Sequence, residues 1–109
     1  MIREINAYMH QKKHISMNEL ADLKMSIFYF KKRPFAVMDL FNEKIYFNDS
    51  GLERFRTEKQ LERPIQWVRS KYLPAKNWVG IIVDSNRNDL IIELIDEFYL
   101  ATYNLLFRN

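Results

Sequence analysis

Lys31, Lys32 and Arg33 are consecutive, and Arg69, Lys71 and Lys76 gather in one later segment. Cations clustered this way can neutralise phosphates, and the counterions released on contact drive binding to a polyanion. The plainer reading is that both clusters are solvated loop tips, which are commonly charged. Function gains ground because the two fall on different loops of one predicted sheet, from which both can reach a single duplex.

Other constellations are weaker. His10 and His14 are four apart, a spacing that can put two imidazoles on one helical face for a metal. No third ligand accompanies them, and a surface pair is the preferred reading. Glu93, Asp96 and Glu97 could be offered for acid–base work, but on an amphipathic helix they belong to the solvated face. No serine, histidine and aspartate suggest a triad, and no nucleophile sits at a glycine-flanked turn. Trp78 could stack on a base. It leads straight into the alternation of Val79, Ile81 and Val83, however, so packing is preferred. Trp67, beside Arg69, is left open between core and surface. Tyr29, Tyr46, Tyr99 and Tyr103 read as core or core edge, and exposure of several together would mark a partner surface instead.

Composition narrows the classes further. The chain has 109 residues, 48% of them hydrophobic and 28% charged, which suits one packed domain spanning 1–109. Only two glycines are present, too few for a phosphate-cradling glycine loop, so no nucleotide cofactor is expected. Cysteine is absent, which excludes disulfides, thiolate nucleophiles and cysteine-ligated metals. Arg3, Glu4, His10, Lys12 and Lys13 interrupt the first residues, unlike a signal peptide, and no run of about 18 apolar residues could span a bilayer. A cytoplasmic protein with no membrane association is expected.

Net charge is +3, and its distribution is two-sided. Arg54 to Lys76 holds seven basic residues against two acidic ones. Asp84 to Glu97 holds five acids against Arg87.

The elements that must position these side chains can be read from periodicity. Ile2, Ile5 and Met9 share one face of a helix to about Lys13. Ser16 and Glu19 form a capping-box pattern before Leu20, Ala21 and Leu23, predicting a second short helix. Ile27 to Phe30, Phe35 to Met38 and Ile45 to Phe47 are aromatic and β-branched, which predicts strands near 26–30, 35–40 and 44–48 joined as an antiparallel meander. Leu52 to Leu61 reads as a helix with Leu52, Phe55 and Leu61 inward. Ile65 to Val68 reads as a short strand. Val79, Ile81 and Val83 alternate with Gly80 and Ile82, the period of a strand over 78–84. Asn88 and Asp89 start a long final helix, with Ile91, Leu94, Ile95, Phe98, Leu105 and Leu106 marking its buried side.

From about Phe30 to Leu106 this order of elements resembles the MmcQ/YjbR family. The residues that carry the resemblance are Lys32 to Met38, Lys44 to Phe47, Arg63-Pro64, Trp78, Val79 to Asp84, and Asp89 to Tyr99. In the loop before the tryptophan, Pro74-Ala75-Lys76-Asn77 departs from the family pattern. The resemblance implies an α+β fold, an antiparallel sheet flanked by amino- and carboxy-terminal helices, and a double-wing-like DNA-binding role without catalysis.

Two functions therefore compete. One is a non-enzymatic nucleic-acid-binding module, with DNA the expected partner, contacting phosphates through Lys31, Lys32, Arg33, Arg69, Lys71 and Lys76. The other is a protein-interaction module using the acidic final helix or an aromatic sheet edge. No catalytic residue, metal or cofactor is assigned. A winged-helix reading, suggested by Ile15 to Ala21, requires a recognition helix from about Ser26, where the sequence reads as strand.

Overall fold

The computed structural model describes residues 2–52, 67–68, 73–74, 77–83 and 87–107. Helix α1 (Ile2–His10) buries Ile2, Ile5 and Met9, the apolar face expected, and ends at His10 rather than near Lys13. The strands are β1 (Ile15–Leu20), β2 (Met25–Phe30), β3 (Arg33–Asp39), β4 (Lys44–Asn48), β5 (Trp67–Val68) and β6 (Trp78–Ile82). They form one sheet of six strands in the order β1-β2-β3-β4-β6-β5, the last a two-residue edge piece. All neighbouring pairs are antiparallel. Helix α2 (Asn88–Phe107) follows. The α+β architecture expected from the sequence is thus present.

One side of the sheet carries the core. Phe28, Phe30, Met38, Ile45, Phe47 and Ile81 are fully buried there with Ile5 and Met9 of α1 and Ile91, Leu94, Ile95 and Phe98 of α2. Phe98 stacks flat on Phe47, with centroids 4.6 Å apart and planes 4° from parallel. In β3 the register slips beside Phe28 and Tyr29, where Phe35 is the extra residue. Such a bulge lets two successive side chains turn inward and sharpens the local twist. Both Phe35 and Ala36 accordingly lie in the core.

The opposite side carries Val37 and Tyr46, also buried. Tyr46 pairs with Gly80 across β4 and β6. A Cβ on Gly80 would come within 2.4 Å of the Tyr46 ring and 2.9 Å of the Val68 carbonyl oxygen. Only glycine leaves the ring its place.

Two expectations are corrected. The helix foreseen from Ser16 to Leu23 is strand β1 followed by one 3-10 turn, Ala21–Leu23. Ile15 and Met17 are half-buried, alternating with exposed Ser16 and Asn18, and Ile15 pairs with Phe30. A ladder to β2 satisfies backbone groups along the whole segment, whereas so short a helix is marginal by itself. Strand β2 after it is the strand read over Ile27 to Phe30, where a winged helix would need its recognition helix. Secondly, Leu105 and Leu106 are each 40% exposed, not buried. The buried stripe of α2 ends at Thr102. A helix of 20 residues is about 30 Å long and overhangs strands of five to seven residues, which reach roughly 16–24 Å. The helix expected over Leu52 to Leu61 lies outside the described residues beyond Leu52, which is buried. Among the described residues no helix is long and apolar enough to cross a membrane.

Candidate nucleic-acid interface

Phe30 and Arg33 pair across β2 and β3, leaving Lys31 and Lys32 as the two residues of the turn. Lys31 has φ +57, and His14 in the neighbouring turn has φ +67. The left-handed region costs a residue with a Cβ roughly 1–2 kcal/mol, so glycine or asparagine usually occupies it. Here a lysine and a histidine do, side by side, with the Lys31 N–H donating to the His14 carbonyl at 2.9 Å. Lys31, Lys32, His14 and Lys13 are all exposed.

The root of the turn is fixed. Arg33 is half-buried at the start of β3 and donates a guanidinium N–H to the Ser50 carbonyl. Burial pulls its pKa down, and the charge of Asp49 pulls it partly back. Asn48, at the end of β4, donates to the Pro34 carbonyl at 2.7 Å and accepts from the Ser50 N–H at 3.0 Å. These bonds tie the start of β3 to the end of β4 beneath the tip. The contrast with the β3–β4 turn is instructive, because there Asp39 accepts from the Asn42 backbone at 3.0 Å and from its side chain at 2.8 Å. That turn spends its polar groups on itself.

Beside the basic turn lies an aromatic cluster. Tyr99, Tyr103 and Phe107 are four apart along α2 and line one face of it. The buried Phe30 ring sits at their centre, 5.2 Å from Tyr99, 6.2 Å from Tyr103 and 6.0 Å from Phe107. His14 joins from the other side, 5.3 Å from Phe107 and 6.4 Å from Tyr103. The Tyr99 hydroxyl donates to the Lys13 carbonyl at 2.8 Å, holding the loop before β1 against the helix. Outward, Tyr103 is 40% and Phe107 38% exposed. The Lys31 ammonium lies 4.1 Å above the Phe107 ring, a cation–π contact that joins the two groups.

Three segments converge at this end of the molecule, and none brings a carboxylate. Residues 10–18, 27–38 and 98–109 contain no aspartate or glutamate. The acids of α2 lie towards its other end, where Asp96 accepts from the Tyr8 hydroxyl at 2.5 Å and forms an ion pair with Lys12. Asp89 is paired with Arg87.

Of the site residues expected from sequence, Lys31 and Lys32 stand together on the tip, while Arg33 serves as the strut beneath them. Arg69, Lys71 and Lys76 lie outside the described residues. Periodicity did not single out Lys13, His14, Tyr103 or Phe107 as neighbours of the turn. The available signal was the absence of acids after Glu97 combined with aromatics continuing at helical spacing. His10 and His14 do not share a helical face, since α1 ends at His10. His10 instead packs edge-on to Phe28 at 5.5 Å.

No family model matches the chain, and no curated protein sequence does. Among solved structures, the fold is similar to that of Deinococcus radiodurans protein DR2400, a DUF419 domain. The TM-score is 0.62 at 19% identity, covering 92% of this chain and 76% of that one. DUF419 is related to the MmcQ/YjbR family, so the fold agrees with the resemblance read from the sequence.

Proposed function

We propose that this chain is a cytosolic, non-catalytic nucleic-acid-binding module whose phosphate contacts come from Lys31 and Lys32, with Arg69, Lys71 and Lys76 as the second basic group. The observation that carries this reading is the placement of two exposed lysines on a braced hairpin tip, in a neighbourhood built from three acid-free segments. A phosphodiester meets exposed cations there, while the Asp49 carboxylate that acts on Arg33 lies buried beneath the tip. Arg33 acts through the strut to Ser50, holding the tip rather than touching phosphate.

The test is a salt titration of binding to arbitrary duplex and single-stranded DNA. Phosphate-driven binding falls steeply with salt, and each lost contact flattens the slope by roughly 0.9 for duplex and 0.7 for single strands. Lys31→Glu with Lys32→Glu is expected to weaken binding to all sequences about equally, because backbone contacts read no bases. Absence of binding at low salt rejects the reading. A second reading, protein interaction, is favoured by Leu100 at 59% and Leu106 at 40% exposure on α2. A partner seated there would leave nucleic-acid binding absent and respond to Leu100→Asp.

A further inference from the structure

Resting on the nucleic-acid reading, we infer that the ligand of this site is single-stranded: unpaired bases stack on Tyr103 and Phe107 while Lys31 and Lys32 meet the flanking phosphates. In a duplex the base faces are already stacked on one another, so an aromatic side chain on a helix surface finds only sugar and phosphate. Unpaired bases have free π-faces, and proteins that hold single strands combine aromatic platforms with a cationic track.

The chain supplies both parts at one place. Tyr103 and Phe107 expose 40% and 38% of their surface, and their rings are 4.5 Å apart on one helix face. They rest on Phe30, which is fully buried. A platform seated on a core residue presents its faces with little rotamer entropy left to lose. Lys31, its ammonium over the Phe107 ring, puts positive charge on the platform itself and gives way to a base that stacks on that face, and Lys32 stands beside it on the turn. Lys13 and His14 border the other side.

These residues are poorly explained by stability. Two rings at the overhanging end of a helix that leave 40% and 38% of their surface exposed bury less than the core rings do, and Lys31 holds a backbone conformation suited to glycine. The shared chemistry is an unpaired base with its phosphate, and DNA and RNA both supply it.

Fluorescence anisotropy at low salt separates the outcomes, using an oligo-dT, an oligo-rU and a blunt DNA duplex of equal length. Wild-type protein is expected to bind at least one of the single strands about tenfold or more tighter than the duplex. Tyr103→Ala is expected to erase most of that preference, and Tyr103→Trp to restore it, with duplex binding unmoved by either. The relative affinities of the dT and rU strands identify the source. Phe107→Ala, which also frees Lys31, is expected to lower single-strand affinity similarly. A matching thermal melt for each variant excludes unfolding as the cause. Equal affinity for single strand and duplex, untouched by Tyr103→Ala, overturns the inference while leaving phosphate binding intact. Binding to none of the three overturns the nucleic-acid reading itself.

Discussion

Ile91, Leu94, Ile95 and Phe98, in the first part of α2, are fully buried, whereas every residue from Tyr103 to Phe107 is exposed. Both stretches are apolar, and both follow helical spacing. The difference lies in what is underneath: sheet for the first, and for the second, among the described residues, Phe30, His14, Gly51 and the β2–β3 turn. In the first stretch, residue choice is dictated by burial, which contributes about 25 cal/mol per Å² of apolar surface. In the second, that return is smaller, since Tyr103 and Phe107 keep 40% and 38% of their surface in solvent, where a ligand can reach them.

The sharpest way to break this contrast is to remove an aromatic ring from each part. Phe98→Ala is expected to cost about 3–5 kcal/mol, since it opens a cavity against the stacked Phe47 ring. Tyr103→Ala should cost less than about 1 kcal/mol, in the range of exposed positions. Denaturant unfolding of both variants checks this, and comparable losses would show that the overhang is part of the core.

A smaller effect comes from the cluster that joins α1 to the first stretch of α2 through Asp96. Donation to Asp96 holds the Tyr8 pKa above its ordinary 10.0. Burial pulls Lys12 down, but its bonds to Asp96 and Tyr8 outweigh that and leave it above 10.5. Both groups bind their protons more tightly when folded. Their contribution is therefore complete below about pH 10 and is lost as pH rises through the folded values. Asp96→Asn should lower stability by about 0.5 kcal/mol at neutral pH, as partly exposed ion pairs do, with the gap from wild type closing in alkali. Urea unfolding at pH 7 and above pH 10 reads both.

Smallest in stability, and most telling for the site, is Lys31→Gly. Relief of the left-handed backbone and loss of the contact with Phe107 oppose one another, each on the order of 1 kcal/mol. The melting temperature should barely move while single-strand affinity falls. A lysine kept only for turn geometry would leave affinity unchanged.

Much of this was legible in the sequence. The strands β2, β3, β4 and β6 declared themselves through Ile27 to Phe30, Phe35 to Met38, Ile45 to Phe47 and the alternation around Ile81. Each has enough aromatic or β-branched bulk to fit a pleated surface. Strand β1 did not, because Ser16, Asn18 and Glu19 are polar and become a strand only through pairing with β2. Lys31 and Lys32 could be picked out as a charged turn. Their aromatic neighbours could not, since helical spacing shows which residues share a face but not where the sheet below that face stops. Leu105, Leu106 and Phe107 continue the pattern past that point.

Gly80 bears on how the sheet is assembled. The strands it joins, β4 and β6, are separated by residues 49–77, so no tight turn dictates their alignment as the two-residue loop does for β2 and β3. A slip of one residue would turn the core side chains of β6 outward. A slip of two would keep the faces but slide Tyr46 onto the side chain of Trp78 or Ile82. The empty space above Gly80 thus works as a keyway, admitting the tyrosine at one alignment and making proofreading of this long-range pairing a matter of shape.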